Sequence, residues 1–436
     1  VASLAALRFL FGALMFIDLG RYLRMDWVGD YYVKPIFQFK YLGFEWVTPW
    51  PAWGMYAHFA ALGLCAVFMA LGYFYRVASA LFVLGFGYVF LLEKAHYLNH
   101  FYVILILSFL LAVSPAHRIW SLDVSRRGLK ERHSVPVWSL WLVRAQFLVI
   151  YVYAGIAKLN ADWLHGQPMR LWLGKLGDMP LLGPSIASEP SYFAASYLGI
   201  FIDLVLPFFL LSKRTRLWAI GGFALFHLTN ALLFSIGIFP WMMLACNLIF
   251  LDSDWPRRLP SWLRDWLILP HLERPTSANE ECSQSRPLSR TIFVAISLFL
   301  GVQILLPLRH HLYPGDVAWT EEGHRFSWRM KLRDKRGKVT FEKLDRKTKK
   351  RELVPTGDYL SHRQTHKMLC DPDMIVQFAH FLAEVERSAD GTKPAIFVKS
   401  ECSLNGHPAA PLIDPKTDLT DIKLGLAPSD WILPRP

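Results

Sequence analysis

The chain has 436 residues, of which 53% are hydrophobic and 15% aromatic, with a mean hydropathy of +0.26. This excludes the set of two or three soluble domains that such a length ordinarily implies. The net charge of +12 sits mostly in loops between apolar runs, so it calls for no nucleic-acid partner.

About 20 helical residues cross roughly 30 Å of hydrocarbon. Runs of that kind are predicted at 3–19, 55–73, 77–93, 100–115, 137–157, 195–211, 217–234, 236–251 and 290–307. The expected fold is a polytopic α-helical membrane bundle of about nine transmembrane helices over 1–307. A small β-rich α+β extracytoplasmic domain is expected over 308–436. Arg8 lies inside the first run, no cleavable signal pattern precedes it, and the start at Val1 leads us to expect a short missing N-terminus. With loops numbered alternately, one set holds fifteen Lys and Arg and the other eight. The positive-inside rule then puts the N-terminus in the cytoplasm, and the 94–100 loop, Lys158 and the C-terminal domain on the outer side.

In the tail, 324–343 alternates like two strands around a Lys-Arg-Gly turn. Residues 371–387 read as a helix with Asp371 as N-cap and Pro372 at its first position. A strand at 395–401 and a turn at Asn405-Gly406 follow. The polar segment 271–290 reads as a flexible loop. Of five cysteines, Cys370 and Cys402 share the exported domain and one disulfide between them is possible; Cys65 and Cys246 are expected as buried free thiols.

Ionisable groups at a membrane edge are functional hypotheses by default. His96 and His100 lie four apart, a spacing that can hold a metal, but the only other close pair is His310-His311, and no metal site is expected. Lys158 ends the fifth run, within YVYAGIAKLNADWLHG (151–166). It reads either as an anchor snorkelling to the headgroups or as a base, since enclosure in low dielectric disfavours the ammonium and a neutral amine can accept a proton. Asn99, His100, Asp162 and His165 fall at the same level. His227 and Asn230, one turn apart in an apolar run, serve either an interhelical hydrogen bond or a pocket. Trp46, Trp50 and Trp53 read as an interfacial aromatic belt.

These residues carry a resemblance. YLNHFYVILILSFLL (97–111), AHRIWSLD (116–123), IYVYAGIAKLNADWLHGQPM (150–169), FHLTNALLFSIGIFPWMMLA (226–245), DWPRRL (254–259) and LLPLRHHLYPGDVAWTEEGHRFSWRM (305–330) are similar, in order and spacing, to motifs of the vitamin K-dependent γ-glutamyl carboxylase family. The resemblance implies a membrane enzyme that converts protein-bound glutamate to γ-carboxyglutamate with CO2, O2 and reduced vitamin K (phylloquinol or menaquinol), forming the quinone epoxide. It implies Lys158 as the base that deprotonates the hydroquinone and His100 as the histidine that serves carbanion formation. Asn99, Trp163, His227 and Asn230 would contact the quinone, and His310, Trp319 and Trp328 the substrate. The implied partners are a glutamate-containing exported polypeptide, the lipid bilayer and a quinone reductase. The implied site is on the non-cytoplasmic side of a bacterial inner membrane, or of the endoplasmic reticulum in a eukaryote. A compact, bacterial-type member is expected. Two alternatives remain: an uncoupled hydroquinone epoxidase without carboxylation, and a non-catalytic scaffold or transporter.

Overall fold

The computed structural model describes residues 2–128, 135–234, 236–259, 288–388 and 390–436. Among these, a helix occupies each of the nine expected positions: α1 Ala2–Arg24, α2 Ala52–Leu71, α3 Tyr75–Leu92, α4 Asn99–Val113, α5 Val137–Ala157, α6 Glu189–Leu204, α7 Arg216–Leu233, α8 Phe239–Asn247 and α9 Arg290–Leu305. Five of them, α1, α2, α3, α5 and the stretch Arg290–Leu312 that begins with α9, are long and apolar enough to cross a membrane. The nine-span expectation is thus met in position but not in length. The clearest shortfall is α8, which with the 3-10 turn Leu248–Phe250 rises only ~18 Å at ~1.5 Å per residue.

Small residues set the helix spacing. A Cβ on Gly12 of α1 would lie 2.5 Å from the Ala66 carbonyl of α2, so the two backbones touch in the manner of membrane helix pairs. Arg8 is buried, and donates to the carbonyls of Ala116 at 3.0 Å and Trp120 at 2.5 Å beyond the end of α4. A cation in an apolar helix is tolerated because chain-end carbonyls take its protons.

The tail forms a four-stranded antiparallel sheet of order β2-β1-β3-β4, with β1 Lys335–Leu344, β2 Arg351–Val354, β3 Ala395–Leu404 and β4 Ala410–Pro411. Helices α10 His362–Met368 and α11 Pro372–Val385 complete it. Asp371 caps α11 by accepting from Met374 N at 3.2 Å, as read from the sequence. The expected strand pair over 324–343 is a single strand: Lys335-Arg336-Gly337 belongs to β1, and its partner is the distant β3, with Lys335 opposite Leu404. Residues 324–331 are irregular, with Phe326, Trp328 and Lys331 at positive φ. Docking explains this departure: Trp328 is fully buried and stacks on Tyr102 of α4 at 4.8 Å, a contact that an extended strand in the sheet would forgo.

Cys370 and Cys402 are bonded, joining β3 to the start of α11. Cys246 is buried and free, while Cys65 is free but only half-buried. Cys282 and the expected loop over 271–290 up to residue 287 lie outside the described residues.

Sheet and bundle share packing and polar ties. Phe39, in the loop after α1, sits in the core of the sheet domain beside Phe341 and Phe378. Gln364 of α10 donates to Glu93 at 2.8 Å and to the Phe37 carbonyl at 2.7 Å. Lys94 pairs with Asp373 of α11. Asp162 accepts from Asn405 and His407 at 2.9 Å each and from Arg435 at 3.3 Å. The 94–100 loop, the Lys158 region and the tail therefore meet at one end of the bundle, as alternate numbering of the loops requires.

Candidate functional site

That end encloses a cavity of about 1610 Å³. Its floor is built by α4, α5, α6, α7 and α8, and its roof by the tail. Drug-sized pockets run to about 1,000 Å³, so the volume has room for two substrates.

Lys158 caps α5 and is 5% exposed. Its Nζ donates to Asp203 Oδ2 of α6 at 2.5 Å and to the Ala154 carbonyl at 3.2 Å, and lies 5.3 Å from the centre of the Trp163 ring. Glycine makes the pair possible. A Cβ on Gly155 would lie 2.9 Å from Leu204 Cβ and 3.1 Å from the Asp203 carbonyl carbon, so α6 closes directly onto α5. On the facing turn, a Cβ on Gly199 would lie 3.2 Å from Trp163 Cζ2 and at ordinary contact, 3.7 Å, from Lys158 Cε. Trp163, 1% exposed, is fixed by its indole N–H on the Ser196 carbonyl at 2.8 Å. Lys158 is therefore neither a snorkelling anchor nor an isolated amine; it is half of a buried ion pair.

The cavity brings together six of the nine residues expected to act: Lys158, His100, Asn99, Trp163, His227 and Asn230. Asn99 accepts from Tyr97 Oη at 3.1 Å and donates to the Arg329 carbonyl at 3.4 Å. His100 packs its ring against Phe239 of α8, with centroids 5.8 Å apart. His227 meets Tyr151 Oη at 3.3 Å through Nε2, and Tyr151 continues to Asn247 at 3.0 Å; its Nδ1 is buried with no partner. Both readings of His227 hold, since it ties helices and also faces the cavity.

The other three expected residues, His310, Trp319 and Trp328, are not part of the cavity lining. His310 Nδ1 turns to the Pro307 carbonyl at 2.8 Å. The indole of Trp319 is buried and donates to the Leu433 carbonyl at 2.8 Å. Trp328 is the packing residue on Tyr102. His165 is also apart, bound to the Ala161 carbonyl at 2.7 Å, and Asp162 ties the tail. His96 sits on a 3-10 turn ahead of α4, so it shares no helix with His100. Its Nδ1 accepts from Arg363 at 2.9 Å, and burial together with that guanidinium pushes it down to about 3.

Sequence reasoning missed the roof. Glu321 is locked between Arg333, at 2.5 Å, and Lys335, at 2.7 Å. Burial alone would raise its carboxyl, but the two cations hold it down to about 2. Arg325 pairs with Asp371 at 2.5 Å. His324 is pushed well below the usual imidazole range by burial and by Arg333, Arg329 and Arg325, and its Nδ1 is buried without a partner. Four left-handed non-glycine residues in this stretch, Glu321, Phe326, Trp328 and Lys331, cost of order 1–3 kcal/mol each, a load that clusters at functional sites. Asp203 had a visible signal, a lone carboxylate in the apolar run FIDLVLP.

Two family models match the chain. One, the HTTM domain, covers residues 1–255, so the chain belongs to the class of membrane proteins built on that helical domain. The other, the vitamin K-dependent gamma-carboxylase lumenal domain, covers residues 288–436. With the two in tandem, the chain is a member of the vitamin K-dependent γ-carboxylase family. No solved structure matches it. It is a carboxylase-type membrane protein with a non-cytoplasmic domain, and membership implies reduced vitamin K and a glutamate-containing protein substrate.

Proposed function

We propose that the protein carboxylates glutamyl side chains of an exported polypeptide to γ-carboxyglutamate at the outer membrane face, with coupled epoxidation of the quinone. The observation that carries this reading is the Lys158–Asp203 pair, buried in one cavity with His100 under a roof rich in cations. The cavity fits a quinone by its materials. Phe226, Phe239 and Met243 offer apolar walls, and the unpartnered His227 Nδ1 offers a polar contact. Reduced vitamin K with O2 supplies the strong base, and CO2 the new carboxyl carbon.

Lys158 Nζ donates to Asp203 Oδ2 at 2.5 Å. Were the amine to pass that proton to the carboxylate, its lone pair would be free to take a hydroxyl proton from a bound hydroquinone, leaving ammonium beside carboxylic acid. Low dielectric keeps this exchange inside the pair. Trp163 and Gly199 pack about the lysine beside the cavity. His100, at the start of α4 beside Asn99 and in the same cavity, would serve carbanion formation by holding charge or a proton. A tail that roofs the floor would limit water there, which would protect a carbanion from quenching.

The test supplies membranes bearing the protein with reduced vitamin K, O2, labelled bicarbonate and a glutamyl peptide. Label fixed into the peptide, with epoxide formed alongside, is the expected result. Epoxide without label across varied peptides would establish the uncoupled epoxidase in its place. Neither product would leave a scaffold.

A further inference from the structure

The cations of the cavity roof fall into two groups. Arg325, Arg333 and Lys335 each hold a carboxylate of the chain itself. Arg329, Lys331, Arg363 and Lys367 line the same cavity and, among the described residues, have no carboxylate within ion-pairing distance; of these four, Arg329 is the one with a buried donor atom, Nε, that has no hydrogen-bond partner. Burial pushes its guanidinium down to about 10, so it is still charged at neutral pH, and Asp316 and Glu321 act on it only at longer range. A buried N–H of a charged group without an acceptor is expensive, and a ligand oxygen would complete it.

The backbone around Arg329 is also held against its preference. Trp328 and Lys331 on either side are left-handed, with φ of 54° and 49°. The Arg329 carbonyl is fastened to Asn99, the residue before His100. Lys331 is braced on aromatic faces, 4.3 Å from the Phe234 ring centre and 5.3 Å from that of Trp172. The segment therefore crosses the cavity from the His100 side to the α7 side.

We propose that Arg329 is the specificity-determining residue of the site, its guanidinium fork receiving the side-chain carboxylate of the substrate glutamate and presenting the γ-carbon toward His100. The planar fork matches a carboxylate in two parallel hydrogen bonds, which a lysine cannot reproduce. The inference rests on the carboxylase reading for the identity of the ligand, but the anion site itself can be tested without turnover.

Full-length protein in lipid nanodiscs is titrated with a fluorescein-labelled glutamyl pentapeptide and with its glutaminyl counterpart. Wild type is expected to favour the glutamyl peptide at least tenfold. Arg329→Gln should lose that preference, and Arg329→Lys should keep part of it, each with an unchanged thermal midpoint. Retention of the full preference in folded R329Q overturns the proposal, as does a wild type that does not discriminate. If R329Q does not fold, R329K decides: wild-type affinity there overturns the role of the fork. An Arg329-dependent glutamyl preference without any CO2 incorporation by wild type upholds the anchor and removes the carboxylase reading.

Discussion

The floor and roof of the cavity handle charge in opposite ways. In the floor a few ionisable groups are set in apolar surroundings, and the catalytic proposal rests on a single pair, Lys158 with Asp203, brought together where Gly155 lets α6 approach α5. The roof is crowded with arginine and lysine, of which Arg325, Arg333 and Lys335 are held internally by Asp371 and Glu321. The floor suits chemistry on a weakly acidic, lipid-soluble reactant, where one amine in low dielectric counts for much. The roof suits recognition of an anion from the aqueous side. The surplus charge, at Arg329, Lys331, Arg363 and Lys367, lines the cavity.

That division can be broken experimentally. Lys158→Ala removes the floor's base and should cut epoxide formation by about 10²–10⁴-fold, the range for a general base; rescue by a small exogenous amine would support the role, and an unchanged yield would remove it. Glu321→Gln strips the counter-charge from the roof and leaves Arg333 and Lys335 buried and uncompensated, a loss of about 3–5 kcal/mol readable as a lowered thermal midpoint. Gly155→Ala drives a methyl into the α6 backbone. We expect about tenfold lower epoxidation with far less change in peptide affinity, and equal losses in both would show that floor and roof are not separable. The smallest effect concerns acid. Because the Glu321 carboxyl is held down to about 2 from its usual 4.5, its contribution to stability is complete above pH 4.5 and lost as pH falls toward 2. Unfolding profiles across that window should be steeper for wild type than for Glu321→Gln.

Much of the floor was legible from sequence because apolar runs make polar residues conspicuous. Lys158, His100, Asn99, Trp163, His227 and Asn230 stood out or fell within resembling motifs, and they meet. Asp203 stood equally exposed to such a reading, but its importance depends on Gly155 letting α6 approach, a contact 48 residues away in sequence. The roof was not legible. Whether an arginine is neutralised depends on which carboxylate folds against it, and Glu321 lies 12 and 14 residues ahead of its partners Arg333 and Lys335. The alternation over 324–330 imitated a strand, until a stacking contact with Tyr102 took precedence. Of the nine expected spans five are long and apolar enough to cross a membrane; α8 starts at Phe239, and Phe239 and Met243 line the cavity. Irregular backbone at membrane depth is tolerated in such places.

Asp162, four residues past Lys158, is clasped by Arg435, which also reaches Asp316 at 3.0 Å. Strain applied to the tail at Arg435 would therefore be felt one helical turn from the amine, while the same strain applied at the start of α1 would act at the opposite end of the bundle.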